Sequence, residues 1–179
     1  MKRSLYIICL LFFALSARGV DYVTTTHNFN DSVVAGVGKL TFSSSNHIGT
    51  MTYDETVYTC MGATGIFESV PAQGGICIHL QRLDSVIILF NKEQLSRLTI
   101  SHNSFSGTMR IFVSSDGVTW TEKEKDPTYS TSISTDIAGL SGVNYIKIKN
   151  TSNTNIHLYI RQVAYYSLPP CHCLRVVSE

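Results

Sequence analysis

The chain has 179 residues, the size of one ordinary domain behind a short leader. Only 15% of the residues are charged and the formal net charge is +1. There is no basic excess of the kind that neutralises nucleic-acid phosphates, so no nucleic-acid partner is expected.

Residues 1–19 read as a signal peptide. Lys2 and Arg3 precede an apolar run from Leu5 to Leu15. That run falls short of the roughly 20 residues a helix needs to cross a bilayer. Small residues then offer cleavage after Ser16 or after Gly19. The 14 basic residues fall to 11 once Lys2, Arg3 and Arg18 leave, against 13 acidic ones, a net of −2. No second stretch could span a membrane. The mature chain is therefore expected to be secreted, periplasmic or held at the cell surface, with no membrane span.

Residues 20–167 carry the domain. In the N-terminal third, residues 22 to 60 are rich in Thr, Ser and Tyr, with apolar positions such as Val37, Leu40 and Phe42. Two or three strands with long polar loops fit that stretch. From residue 76 onward apolar and polar residues alternate, the mark of strands with one buried face. Ile76, Ile78 and Leu80 form one such set. Met109, Ile111 and Val113 form the next, then Ile146 and Ile148, and finally Ile156, Leu158 and Ile160. Val86 to Phe90 is continuously apolar and reads as a strand covered on both faces.

Helical signal is nearly absent, since Asn91 to Ser96 is too short for more than a turn. Polar clusters about 8–12 residues apart point to a sandwich or barrel. Ser115-Asp116-Gly117-Val118 reads as a two-residue hairpin turn centred on Asp-Gly. Val113 and Trp120 then lie on paired strands, and Val118 and Trp120 are expected in the interior, with a ligand platform as the alternative role for Trp120. Asn150 to Asn155 is a polar turn. Pro169-Pro170 ends the last strand, and residues 168–179 read as a loosely held tail.

Four cysteines follow the leader: Cys60, Cys77, Cys171 and Cys173. Three complete pairings exist, and spacing does not choose among them. A Cys60–Cys77 bridge closing a Gly-rich loop is the preferred expectation, with about 3 kcal/mol of stabilisation in the chain-entropy picture. Cys171 and Cys173 are too close for a relaxed bridge to each other.

The stretch Arg110 to Trp120, RIFVSSDGVTW, resembles the hairpin of galactose-binding-like jelly rolls, the group that includes discoidin-type domains and many carbohydrate-binding modules. Val143 to Ile148 and Ile156 to Tyr166 resemble the two strands that follow in those domains. The likeness spans about residues 76–166. It implies an all-β, two-sheet antiparallel sandwich of jelly-roll type, common in secreted proteins of gut and soil Bacteroidetes. It also implies a glycan or polysaccharide as partner, bound by loops at one end of the sandwich.

The residues themselves argue against catalysis. Asp54 and Glu55 are the one adjacent pair of carboxylates considered, and adjacent strand residues point to opposite faces, so they read as solvated loop charges rather than a glycosidase pair. No nucleophile elbow or phosphate loop occurs. The six histidines are scattered. No Asp-rich calcium loop is visible, so no cofactor is expected and a structural calcium has no support. Sugar recognition combines aromatic faces with planar polar groups. Two segments offer that mixture: Asn46, His47, Tyr53 and Tyr58 in one, His102, Asn103 and Arg110 in the other. The expected function is a secreted, non-catalytic carbohydrate-binding module. The alternative is a structural or adhesive sandwich mediating protein contacts at the cell surface.

Overall fold

A computed structural model describes residues 23–29, 49–62, 66–70, 75–91, 95–103, 109–125 and 134–168. The expected signal peptide, Asn46, His47, Cys171, Cys173 and nearly all of the expected tail lie outside the described residues. Among those described there are strands and turns but no helix. The strands are β1 (Val23–Asn28), β2 (Gly49–Tyr53), β3 (Thr56–Met61), β4 (Ile66–Val70), β5 (Gly75–Leu80) and β6 (Ser85–Phe90), then β7 (Leu95–His102), β8 (Met109–Ser114), β9 (Thr121–Lys125), β10 (Ser134–Ala138), β11 (Tyr145–Asn150) and β12 (Leu158–Ser167).

They form two antiparallel sheets. The first runs β10-β7-β12-β5-β4, with β1 also paired to β12; the second runs β2-β3-β6-β11-β8-β9. From β5 to β8, and again from β10 to β12, each connection leads from one sheet to the other. The expected two-sheet sandwich is what the chain builds. One long strand organises the first sheet. Leu158 to Ile160 of β12 pair with β5, and Gln162 to Ser167 pair with β1. A bulge at Arg161, between the pairs of Ile160 and Gln162 with β7, shifts the alternation by one. Leu158 and Ile160 therefore face inward before it, and Val163 and Tyr165 after it.

The alternating residues meet between the sheets as expected. Ile78, Leu80, Leu98, Ile100, Leu158 and Ile160 come from one sheet, and Val86, Ile88, Met109, Ile111, Ile146 and Ile148 from the other; all are buried in one cluster. Each such aliphatic side chain contributes about 1.5–3 kcal/mol on burial. Asn150 ties the sheets at one end. Its Nδ2 donates to Leu80 O at 3.1 Å and to Ile156 O at 2.7 Å, while its Oδ1 accepts from Ser152 N at 3.0 Å.

Three expectations are corrected. The true two-residue hairpin lies at Asp54-Glu55, between β2 and β3, where both residues have positive φ, 44° and 68°. The Asp116-Gly117 segment is a six-residue connection, because β8 ends at Ser114 and β9 starts at Thr121. Val113 pairs with Thr121, so Trp120 lies just outside the paired strand. Val118 and Trp120 therefore lie in the connection rather than on a paired strand: Val118 is 81% exposed, and Trp120 is half-buried with its ring beneath Lys147. The run Val86 to Phe90 is buried on one face only. Ile87 and Leu89 are half-buried on the other.

The third correction concerns the cysteines: Cys60 and Cys77 form no bridge. Cys60 shares the inward parity of Thr56 and Tyr58 on β3 and is a buried free thiol within the core. Cys77 alternates with Ile76 and Ile78 on β5, and so stands on the opposite side of its sheet. A disulfide needs the two Cβ atoms about 4 Å apart and facing one another. Burial pushes the Cys60 thiol pKa up, so it remains protonated and unreactive.

Candidate functional site

The sequence-expected residues lie in three separate places. Tyr58 is fully buried, and its hydroxyl hydrogen-bonds His27 Nδ1 at 2.7 Å. Tyr53 packs against the core and stacks on His27 with centroids 4.2 Å apart. Tyr58 therefore belongs to the interior, and the partly buried Tyr53 packs against it from the end of β2. His102 and Asn103 fasten the end of β7 to its neighbours. His102 Nδ1 donates to Asn103 O at 2.7 Å, and Nε2 lies 3.0 Å from Thr135 Oγ1. Asn103 accepts from Tyr159 N at 2.9 Å and donates to His157 O at 3.3 Å. Arg110 alone stands on an open sheet face.

That face is the outer side of the second sheet. Ile111, Ile146 and Ile148 point into the core, so Arg110 and Phe112 on β8 and Tyr145, Lys147 and Lys149 on β11 point out. Register then sets the neighbours: Lys147 opposite Phe112, Lys149 opposite Arg110, and Phe112 opposite Glu122. Trp120 lies in the connection, just before β9. Lys147 Nζ lies over the Trp120 ring, 3.9 Å from its centroid, and 5.7 Å from the centroid of Phe112. Such a cation held over an indole face is favourable by about 0.5–2 kcal/mol. Burial first, and the charge of Lys149 second, hold the Lys147 ammonium pKa below its usual value. Arg110 forms an ion pair with Glu122 at 3.3 Å.

The six-residue connection builds one end of this face. Ser114 Oγ donates to Asp116 Oδ1 at 2.8 Å and accepts from Gly117 N at 2.9 Å. Asp116 Oδ1 also accepts from Val118 N at 2.9 Å and Thr119 N at 2.8 Å. The amides of Thr119 and Val118, then the Ser114 hydroxyl, hold the Asp116 carboxyl down to about 2. Gly117 has φ +76°, and a Cβ there would lie 3.1 Å from the Tyr145 ring. Glycine therefore serves both the turn and the seat of Tyr145. Asn144 Nδ2 adds a hydrogen bond to Ser115 O at 2.9 Å.

The result is a sheet face with three half-buried aromatic residues, Phe112, Trp120 and Tyr145, with Lys147 over two of the rings and an Arg–Glu pair beside it. Flat apolar faces bordered by donors and an acceptor suit a ligand with both C–H faces and polar edges. Of these residues the sequence singles out Arg110 for binding; it offers Trp120 first as a core residue and second as a ligand platform, and the six-residue connection is what takes Trp120 out of the core. Phe112 and Tyr145 carried a usable signal, since both interrupt a polar outward row. Among the described residues, no group of three or more His, Cys, Asp or Glu is placed to hold a metal ion. Nor is any helix among them long and apolar enough to cross a membrane.

No protein-family model and no curated protein matches this chain. Solved structures do. The chain is similar to the xylan-binding module CBM86 from Roseburia intestinalis at 10% identity, over 82% of this chain and 96% of that one, with a TM-score of 0.43. It is similar to a mutant of CBM29-2 complexed with cellulohexaose at 12% identity, over 83% and 94%, TM-score 0.47. It is also similar to CBM32-1 from a family 31 glycoside hydrolase of Clostridium perfringens at 18% identity, over 62% and 94%, TM-score 0.45.

Proposed function

We propose that this chain is an exported, non-catalytic carbohydrate-binding module that holds its glycan on the outer face of the second sheet. The supporting observation is the aromatic face itself: Phe112 and Tyr145 on the outer side of the sheet and Trp120 beside them, with Lys147 over the indole. A pyranose presents axial C–H groups that pack on such rings, while its hydroxyls take hydrogen bonds from Lys147 and Arg110 and donate to Glu122. Rigid strands fix the platform, so little conformational entropy is lost on binding. Residues 1–19 direct export and are removed.

Affinity electrophoresis through gels containing xylan, glucomannan or polygalacturonate tests the reading. The mature protein is retarded by at least one of them, and Trp120→Ala, Phe112→Ala and Tyr145→Ala each reduce the retardation. Trp120 is half-buried, so its removal costs less than the roughly 3–5 kcal/mol of a fully buried aromatic, and the variant still folds. Undiminished retardation of all three variants would move the site elsewhere.

A further inference from the structure

The charge on the proposed glycan face is one-sided. Lys147 and Lys149 stand two residues apart on the outward side of β11, about 7 Å along the strand. Arg110 is directly opposite Lys149 on β8. Among the strand side chains described on this face, Glu122 is the one carboxylate, and it is already engaged with Arg110 at 3.3 Å. Three cations thus share a single acid. Arg110 bonds Glu122 through Nη1 while its side chain stays 38% exposed; its Nε is buried, without a hydrogen-bond partner among the described residues. The other charged neighbour, Asp116, is turned into its own loop by the amides of Val118 and Thr119.

Resting on the carbohydrate-binding reading, we propose that the ligand of this face is an acidic glycan, whose carboxylate or sulfate groups sit among Lys147, Lys149 and Arg110 while its rings lie along Trp120 and Phe112. A neutral sugar would leave Lys147 and Lys149 repelling one another on a partly desolvated surface. An anion between them removes that repulsion and gives Arg110 a second, planar partner for its guanidinium fork. Burial first lowers the Lys147 ammonium pKa, and the neighbouring Lys149 charge adds to it. Because the cations are partly exposed, the attraction is screened by salt.

The test measures binding of the mature protein by calorimetry to polygalacturonate for carboxylate, to heparin for sulfate, and to xylan and glucomannan as neutral chains. Single-stranded DNA serves as a polyanion without pyranose rings. At least one acidic glycan binds about tenfold or more tighter than the neutral ones. That preference shrinks as salt rises from about 0.05 to about 0.3 M. Lys149→Gln and Arg110→Gln each lower acidic-glycan affinity about tenfold, with circular dichroism melts used to verify folding, and Lys149→Glu lowers it further. Whichever acidic glycan binds better tells carboxylate from sulfate. Neutral glycans bound as tightly as acidic ones would overturn this inference and leave the carbohydrate-binding reading standing. DNA bound as tightly as the acidic glycans would overturn it too, since charge alone would then suffice. Absence of binding to every glycan would sink the carbohydrate-binding reading itself.

Discussion

His27 gives the sandwich a pH-dependent stability. Its side chain is fully buried, stacked on Tyr53 and flanked edge-on by Tyr58 and Tyr165. Burial lowers its pKa from 6.5 to about 4, against an opposing pull from Asp54, whose carboxylate lies 4.0 Å away and is 71% exposed. The folded value is below the unfolded one, so the unfolded chain takes up the proton first. Stability is complete above about pH 6.5 and falls as pH drops towards about 4. For one site with those two values, moving from about pH 7.5 to about pH 5 costs roughly 2 kcal/mol. Reorientation of the exposed Asp54 carboxylate towards the charged imidazole trims this to about 1–2 kcal/mol. Asp116 and Asp136 have lowered pKa values, so their contributions are lost only at more acid pH and stay flat across this window. Urea unfolding of the wild type and of His27→Gln at the two pH values reads the effect. The variant is less stable at neutral pH, and its loss on acidification is smaller than that of the wild type by about 1–2 kcal/mol. Equal losses in the two proteins would refute the reasoning.

Three further outcomes follow from other parts of the fold. Asn150→Ala strands Leu80 O, Ile156 O and Ser152 N in a buried site, and at roughly 1–3 kcal/mol each it costs at least about 3 kcal/mol. A thermal melt showing less than about 1 kcal/mol would mean that water replaces the amide. Glu55→Gly relieves a left-handed backbone at φ 68° and raises the melting temperature, by up to about 1 kcal/mol in stability; a lower melting temperature would contradict it. Asp116→Ala speeds hydrogen exchange at the Val118 and Thr119 amides while β11 stays protected, and unchanged exchange there would show that the carboxylate does not hold the loop.

Much of the sandwich was legible because a one-sided strand repeats with period two. Ile78 and Leu80, Met109 and Ile111, and Ile146 and Ile148 all point inward as their alternation requires. Parity along one strand survives without knowledge of its partner, whereas parity across a turn depends on the loop length. An Asp-Gly pair suggested two residues, but Asp116 instead caps a six-residue connection, and Trp120 falls within it, outside the core. The same limit affected the cysteines. Cys60 and Cys77 have compatible sequence spacing, yet each parity is set within a different sheet, and the two point to different sides. Tyr53 and Tyr58 can be read from the sequence either as binding aromatics or as half-buried sheet residues, because no sequence signal places His27 beside them.

The most direct test of the account uses the chain's only tryptophan, Trp120, as its own reporter. On the proposed face, a bound sugar lies against the indole and alters the Lys147 contact made at 3.9 Å. Titrating the mature protein with acidic and neutral oligosaccharides should change the intensity or wavelength of its fluorescence in a saturable way. The affinity read this way should match the one measured by calorimetry. Glycan binding seen by calorimetry with unchanged Trp120 emission would place the ligand away from this face and contradict the central claim.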